Sequence, residues 1–353
     1  MTGQPDVRGP RTERHPPEEA SAPRLAWGIR GTGSHLPGRQ VPSEDLSRSM
    51  GLPPSWIERC TGIRRRHVAG DGEAASDLAA AAGRHALDAA RLDAADLGLI
   101  VLGTSTPDEL GPSTACRVQA LLGARTAAAF DVAAACTGFV YGLQAAVGWL
   151  STQRGAPPYA LVIGVEVYSR FLHPRDRATR ALFGDGAAAA VIGPVARPYG
   201  LGPVVLGSDG SRAGDVLIPA GGSRAPASPA TLAALGHTIH MDARAVRDFI
   251  TAIFPRLVTE ASRTAGISPA DLALVVPHQP NPRLVASLAA DAGLSPAQVA
   301  IAGQDVGNIG AASLPYALDT AVRARGVGPG DLVLLAGFGA GLTWGHTLIT
   351  WPP

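Results

Sequence analysis

The sequence lacks several features that mark particular classes of protein. It contains only three cysteines, Cys60, Cys116 and Cys136, and none lies close to another. This odd and dispersed set argues against a disulfide framework and against a cysteine zinc site, and it favours a cytosolic redox setting and a cytoplasmic protein. No uninterrupted apolar run reaches the roughly 18 residues that a membrane-spanning segment needs. We therefore predict no contact with a membrane.

Charge is also scarce. Charged residues make up 17% of the 353 positions, and the formal net charge is +1, so nothing in the overall composition favours a nucleic-acid partner. Hydrophobic residues make up 46%, which is enough to bury a large core in a globular enzyme or binding protein. Residues 1–23 are polar and proline-rich and lack the apolar core of a signal peptide, so they are predicted to be a disordered tail.

Beyond this tail, apolar runs alternate with helical periodicity. Strands are predicted at 24–37, 96–103, 128–135, 159–164, 271–278 and 332–337. Helices are predicted at 76–90, 113–122 and 246–265, with a further one starting at about residue 137 and a short one within 53–66. We expect Ser76 to cap its helix and Cys116 to lie in the core. Sheets built from such alternating units are expected to be mainly parallel, with both faces covered.

Three landmarks recur about 175 residues apart and indicate an internal duplication. The strand at 96–103 matches the one at 271–278, the strand at 159–164 matches the one at 332–337, and Cys136 matches Asn308. We therefore predict two similar α/β halves, residues 24–196 and 197–353. Loops from both halves are expected to meet at one site.

Cys136 lies in the stretch DVAAACTGFVYGL, between the end of a strand and the start of an apolar helix. A thiol at a helix N-terminus faces unpaired backbone N–H groups and the positive end of the helix dipole, which favour the nucleophilic thiolate. The alternative is that Cys136 is a small apolar core residue, because free cysteine is often buried.

His278 and Asn308 are the candidate partners of this thiol. His278 follows a predicted strand in PHQPN, at the end of the strand where α/β folds usually place their chemistry. Asn308 lies in a glycine turn, GNIGAASLP, where asparagine is often only a turn residue. As the repeat partner of Cys136, however, it should face that residue. Cysteine, histidine and asparagine would then converge, as thiol chemistry requires.

The sequence resembles the β-ketoacyl-ACP synthase III family, the priming condensing enzymes of the thiolase superfamily, from about Arg24 to Trp351. The matching strings, in order, are DVAAACTGF, FGDGAAAAV, PHQPN, GNIGAASLP and GFGAGLTWG. The resemblance implies a layered αβαβα thiolase-like fold and a homodimer. It implies no metal and no cofactor, with acyl-CoA or acyl-ACP and malonyl-ACP as substrates and an acyl carrier protein as partner.

The resemblance also implies roles for particular residues. Cys136 would carry the acyl group, and His278 and Asn308 would bind the malonyl thioester carbonyl. Backbone N–H groups of Cys136 and Ala340 would form the oxyanion hole. The candidate substrate-binding residues are Trp56, Arg59, Arg177, Arg283, Phe338 and Gly111. In the family the residue at position 111 helps to limit the size of the acyl starter across the dimer, so the small Gly111 is expected to admit branched, longer or aromatic starters.

Other interpretations remain open. Departures such as PHQPN for PHQAN and GNIGAAS for GNTSAAS leave room for a same-fold acyltransferase that passes the acyl group to a hydroxyl, an amine or a carrier without condensation, or for an inactive partner of a synthase. Cys60 stands where the family has an arginine, so free acyl-CoA is expected to be a poor donor, with Arg283 and the arginines at 64–66 as candidates for carrier docking. The HxxH at His237 and His240 lacks the carboxylate of a zinc signature.

Overall fold

The computed structural model describes residues 25–153 and 157–353, so the predicted tail at 1–23 lies outside the described residues. The strands are β1 (Leu25–His35), β2 (Arg39–Pro42), β3 (Arg65–Val68), β4 (Leu97–Gly103), β5 (Ala128–Val132), β6 (Tyr159–Val167), β7 (Asp185–Ala196), β8 (Gly200–Leu201), β9 (Val205–Ser208), β10 (Val216–Leu217), β11 (His240–Met241), β12 (Leu274–Pro277), β13 (Leu332–Gly339) and β14 (Thr343–Thr350).

The helices are α1 (Ser43–Ser49), α2 (Trp56–Thr61), α3 (Ala75–Ala90), α4 (Thr114–Leu122), α5 (Gly138–Thr152), α6 (Arg177–Leu182), α7 (Pro229–Ala233), α8 (Ala243–Ala265), α9 (Pro282–Asp291) and α10 (Ser313–Arg325). Within the described residues, no helix combines the length and the apolar character needed to cross a membrane.

Two sheets form the frame of the molecule. The first has the order β1-β7-β6-β4-β5, and the second runs β12-β13-β14, with β8 and β9 both pairing with β14. Strands β4 and β6 are apolar almost throughout and entirely or almost entirely buried, as expected of central strands that are covered on both faces. These strands place the residues that follow them at one edge of the sheet.

Helices cover the sheets in layers. Helix α3 packs on the outer face of the first sheet and α8 on the outer face of the second, while α5 and α10 lie between the two sheets. One apolar cluster joins both sheets to α5 and α10, and separate clusters lie under the outer helices. The architecture is therefore the five-layered αβαβα arrangement expected from the sequence.

The order of elements repeats in the two halves. Each of the central helices α5 and α10 follows a 3-10 turn, at Ala135–Thr137 and Gly310–Ala312. The strand after each helix, β6 or β13, pairs with an antiparallel strand, β7 or β14. This repetition agrees with the internal duplication, and the boundary proposed between residues 196 and 197 stays a prediction.

The expectation of mainly parallel sheets is wrong. Among the strands of the described residues, only the pairs β4–β5, β4–β6 and β12–β13 are parallel, whereas β7 and β14 run antiparallel to their neighbours. The physical reason is the connection. β13 and β14 are joined by a tight turn, which reverses the chain, whereas a parallel pair needs a helical crossover.

Two local predictions also fail. Cys116 is exposed rather than buried, because it lies on the outward side of α4. Ser76 does not cap α3. The cap is Ala74, and Ser76 lies buried in the first turn of the helix.

Candidate active site

Cys136 lies in the 3-10 turn between β5 and α5, at the N-terminus of a long helix. The preceding Ala135 has φ +45°, a conformation that is uncommon for a residue with a side chain and is often found at functional sites. Gly339, at the end of β13, passes so close that a Cβ there would lie 2.7 Å from the Cβ of Cys136. Position 339 therefore has no room for a side chain.

A cavity of about 270 Å³ opens beside this cysteine. Its polar end contains Cys136, His278 and Asn308, so the structure brings the three candidate catalytic residues together. The apolar side chains that line the remainder are Leu182, Phe183, Val216, Leu217, Ile218, Ile239, Met241, Val246, Ile250 and Phe338. The shape suits an apolar chain with a reactive group at one end.

Backbone N–H groups point at the sulfur atom. The backbone N–H groups of Cys136 and Ala340 lie near the thiol of Cys136 and lower its pKa. These two donors come from the turn before α5 and from the turn after β13, and their role as an oxyanion hole stays a prediction.

The electrostatic expectation for Cys136 is wrong in direction. Burial raises the pKa of the thiol to about 12, and the nearby Glu166 carboxylate acts in the same direction. The hydrogen bonds from Tyr168 and from the two backbone N–H groups lower the pKa by less. Desolvation of the thiolate outweighs the helix N-terminus, so the resting residue is a neutral thiol.

His278 follows β12 and is buried. Burial lowers its pKa to about 3, so the imidazole is neutral at physiological pH. Its ring packs edge-on against Phe338, with ring centroids 5.5 Å apart. The next residue, Gln279, fixes the turn by donating from Nε2 to the carbonyl oxygens of Pro277 and Ala300, at 2.9 and 3.0 Å.

Asn308 precedes the 3-10 turn that opens α10. The backbone N–H of Gly310 donates to its Oδ1 at 2.9 Å, and the Ser313 hydroxyl approaches the same oxygen at 3.4 Å. Because Oδ1 is occupied by these donors, the amide NH₂ group remains for an acceptor in the cavity.

Sequence reasoning missed Glu166 and Tyr168. Glu166 is fully buried at the end of β6, and Tyr168 lines the cavity next to Cys136. A signal was present, because Glu166 is the only charged residue in the apolar strand YALVIGVEV. A buried charge of this kind is costly unless it is satisfied by hydrogen bonds, and it often marks a functional site.

The candidate carrier-binding residues lie on helices outside the cavity. Trp56 and Arg59 are on α2, Arg283 is at the start of α9, and Arg177 is at the start of α6. Helix α2 contacts both α6 and α9, and the three arginines are exposed.

The arginines at 64–66 are already engaged. Arg64 and Arg65 both bind the Asp305 carboxylate, and Arg66 is buried, donating to the Ser43 hydroxyl and to the Ala181 carbonyl. Arg66 is therefore wrong as a docking residue. Its neighbours Arg64 and Arg65 share the single carboxylate of Asp305, which offsets only one of their two positive charges.

Gly111 and the HxxH pair lie apart from the candidate carrier-binding residues. Gly111 is on an exposed loop between β4 and α4, with open space around its Cα, and its role across a dimer stays a prediction. No group of His, Cys, Asp or Glu in the described parts of the chain, His237 and His240 included, is arranged to hold a metal ion.

Comparison with known proteins matches two family models. Residues 130–210 match 3-oxoacyl-[acyl-carrier-protein] synthase III, and residues 263–351 match its C-terminal domain. The chain is 42% identical to β-ketoacyl-[acyl-carrier-protein] synthase III of Caldanaerobacter subterraneus subsp. tengcongensis, covering 93% of this chain and 98% of that one. The chain belongs to the β-ketoacyl-ACP synthase III family.

Other relatives show the breadth of the β-ketoacyl-ACP synthase III family. The chain is 44% identical to acetoacetyl-CoA synthase of Streptomyces sp. strain CL190, covering 93% of this chain and 99% of that one. The crystal structure of the synthase III of Pseudomonas aeruginosa PAO1 matches with a TM-score of 0.84 at 38% identity, covering 93% and 99% of the two chains. The priming β-ketosynthase of the R1128 polyketide pathway matches with a TM-score of 0.85 at 32% identity, covering 95% and 99%.

Proposed function

We propose that this protein is a β-ketoacyl synthase of the synthase III type. It loads an acyl group onto Cys136 and condenses it with a malonyl thioester to give a 3-oxoacyl thioester. The observation that carries the proposal is the meeting of Cys136, His278 and Asn308 at the polar end of one apolar cavity. The family relationship supports it, and the product would prime fatty acid or polyketide synthesis.

The first half-reaction is acyl transfer. The Cys136 sulfur attacks the thioester carbonyl, its proton passes to the neutral imidazole of His278, and the carrier thiol leaves with that proton. The tetrahedral oxyanion is stabilised by the backbone N–H groups of Cys136 and Ala340. Losing one such donor typically slows a reaction about 10² to 10³-fold.

The second half-reaction is decarboxylation and carbon–carbon bond formation. The malonyl group loses CO₂, and the electron pair that remains places negative charge on its thioester oxygen. His278 and the NH₂ group of Asn308 donate hydrogen bonds to this oxygen. The enolate carbon then attacks the acyl carbonyl on Cys136, and the thiolate leaves and takes up a proton. A carboxylate at position 308 would repel the developing charge, so asparagine suits condensation.

The carrier of the malonyl group has two candidates. An acyl carrier protein fits the family and the exposed arginines Arg59, Arg177 and Arg283 on three neighbouring helices. Malonyl-CoA is the second candidate, and it is favoured by the 44% identity to an acetoacetyl-CoA synthase. Trp56 and Phe338 are the proposed aromatic contacts of the carrier arm and of the acyl group.

We also propose that the protein acts as a homodimer formed through β5. This strand is at the end of the first sheet, and Phe130 on it is 39% exposed. Leu110, on the adjoining loop, is 85% exposed, next to Gly111. An edge strand with exposed apolar residues is a template for pairing with a second copy. A cytoplasmic location and the absence of a cofactor stay predictions.

The testing experiment incubates the protein with a panel of acyl-CoAs, then with malonyl-ACP or malonyl-CoA, and measures the intact mass of the protein and its products. We expect an acyl mass gain on Cys136, CO₂ release and a 3-oxoacyl product, all lost in Cys136→Ala. Acylation without CO₂ release would support the acyltransferase alternative. No mass gain with any donor would support the inactive one.

A further inference from the structure

Glu166 occupies an unusual position for a carboxyl group, fully buried behind the nucleophile. Its oxygens accept hydrogen bonds from the Ser105 backbone N–H at 3.1 Å and from the Thr106 hydroxyl at 2.7 Å, with the Ala311 N–H at 3.4 Å. No cation in the described parts of the chain forms an ion pair with it. The site therefore holds the carboxyl group with neutral donors only.

Tyr168 connects this carboxyl group to the nucleophile. Its ring is buried against Phe183, with centroids 4.7 Å apart, and it lines the cavity. Tyr168 lines the cavity together with Cys136, and its hydroxyl lies beside the Glu166 side chain. Tyr168 lowers the pKa of both the Cys136 thiol and the Glu166 carboxyl.

Gly310 makes room for this pair. A Cβ at position 310 would lie 2.6 Å from the Cγ of Glu166 and 2.6 Å from the Tyr168 hydroxyl oxygen, and the φ of Gly310 is +52°. Carboxyl and phenol are thus held close to one another, in a space that a side chain at this position would fill.

A phenol has one proton to donate but here has two acceptors. When Glu166 is ionised, its carboxylate is the stronger acceptor and takes the Tyr168 proton. When Glu166 is protonated, its own O–H can donate to the phenol oxygen, and the Tyr168 O–H is free to turn to the sulfur of Cys136. A neutral Glu166 also removes the charge that opposes thiolate formation.

We propose that Tyr168 is a positioning residue that donates a hydrogen bond to the Cys136 sulfur, and that the proton on Glu166 decides whether this bond forms. The proposal goes beyond the condensation reaction, because it concerns the reactivity of the thiol itself. No covalent step or additional reactant is involved.

The change in the hydrogen-bond acceptor of Tyr168 takes place near neutral pH. Burial raises the pKa of Glu166 to about 7, against the smaller effect of its hydrogen bonds. The titratable groups that face it are Cys136, from the turn before α5, and Tyr168, from the segment after β6. The loop after β4 contributes hydroxyls and N–H groups, and the turn before α10 contributes a backbone N–H, none of which titrates in this range.

The experiment measures the alkylation rate of Cys136 by iodoacetamide from pH 5.5 to 9, with peptide-resolved mass spectrometry. The exposed Cys116 in the same sample is the internal reference. Tyr168→Phe should slow alkylation of Cys136 by about tenfold or more at pH 6, because a hydrogen bond to a charged acceptor is lost. Glu166→Gln should match the wild type below pH 6 and exceed it by about tenfold above pH 8, since a one-unit fall in thiol pKa gives tenfold more thiolate.

The matched control is Tyr141→Phe, which removes a phenol that donates to the Gly207 carbonyl, outside the cavity. It should alkylate at the wild-type rate. Wild-type alkylation in Tyr168→Phe, or a Glu166→Gln profile parallel to that of the wild type, would overturn the proposal. Tyr168→Phe alone tests it if Glu166→Gln fails to fold. Because no acyl substrate is used, a failure here is distinct from a failure of the proposed condensation.

Discussion

Single side chains separate the two half-reactions proposed for the cavity. His278→Ala and Asn308→Ala should each still become acylated, because the thiol remains, but His278→Ala more slowly, because it lacks the imidazole that takes the thiol proton. Both should release CO₂ from a malonyl thioester at least about 10²-fold more slowly, because each removes a donor to the enolate oxygen. Intact-mass analysis checks the first step, and a coupled CO₂ assay checks the second. Wild-type decarboxylation in both variants would contradict the assigned roles.

The buried imidazole of His278 also makes stability depend on pH. Its pKa falls from 6.5 to about 3 on folding, so between these values the unfolded chain binds more protons and stability falls as pH falls. The wild type should therefore lose about 2 kcal/mol more than His278→Gln between pH 7 and pH 5.

Urea unfolding of both proteins at the two pH values measures this difference. The exposed His240 is the matched control, and His240→Gln should keep the wild-type pH dependence. Equal losses in the wild type and His278→Gln would show that the imidazole is not desolvated.

We expect Cys60 to influence the preference for the carrier. Arg59 and Cys60 are both exposed on the last turn of α2, and consecutive helix residues point about 100° apart, so Arg59 does not replace an arginine at position 60. Cys60→Arg should lower the KM for acyl-CoA by a few-fold to about thirtyfold, through stacking of the guanidinium on an aromatic base. The KM for the same acyl group on a carrier protein should not change.

Steady-state kinetics with both donors check this, with Cys60→Ala as the variant that removes the thiol and adds no guanidinium. An unchanged KM in Cys60→Arg would contradict the hypothesis. So would a clear preference of the wild type for acyl-CoA.

The sequence motifs identified residues that share the cavity, but the surroundings of these residues were not predicted correctly. The strings around Cys136, His278 and Asn308 locate the three residues that share the cavity. The direction of the Cys136 pKa shift depends on burial and on Glu166, two facts that only the three-dimensional packing reveals. The position of the Tyr168 phenol near the sulfur is likewise revealed only by the three-dimensional packing.

At the scale of one element, two of the three glycines in α5 differ in the space around them. A Cβ at Gly148 would meet open space, whereas a Cβ at Gly142 would lie 2.9 Å from a methyl group of Val162. Gly148→Ala should therefore stabilise the protein by about 0.5 to 1 kcal/mol through helix propensity, and Gly142→Ala should destabilise it through overpacking. Thermal unfolding measures both variants. A lower midpoint for Gly148→Ala than for Gly142→Ala would contradict this account.

The bounds of elements with strong periodicity were predicted to within a few residues, but the pairing of the strands was not predicted. Helices α3, α4 and α8 and strand β4 lie where their patterns place them. Strand direction depends on which strands become neighbours, and the antiparallel partners β7 and β14 carry no local sign of this. The predicted cap of α3 is wrong because the helix begins at Ala75, one residue before Ser76. Ser76 therefore lies inside the helix.

For the whole molecule, the proposed homodimer makes a prediction about one edge. Phe130→Asp places a charge on exposed β5 and should convert the dimer to a monomer, because burying an unpaired carboxylate in an interface is costly. Leu25→Asp is the matched control. Leu25 is 57% exposed on β1, at the opposite end of the same sheet, so this variant should stay dimeric. Sedimentation velocity measures both, and a dimeric Phe130→Asp would exclude β5 as the interface.

The layered architecture followed from the duplication in the sequence, because two similar α/β units must bury their inner helices against each other. The apolar helix after Cys136, α5, was predicted to be buried, but the inner position of α10 was not predicted. The helix α5 is apolar almost throughout, whereas α10 contributes only Leu314, Ala317, Leu318, Ala321 and Val322 to the cluster that joins both sheets.

The corresponding edges of the two sheets differ in one respect. β5 offers a five-residue edge, whereas the corresponding edge of the second sheet is reduced to a single bridge between Val275 and Val299. A chain with two complementary edges would join head to tail and grow into an open fibre, while one edge that pairs with its own copy closes after two subunits. In the proposed homodimer, the short edge of the second sheet would thus prevent polymerisation.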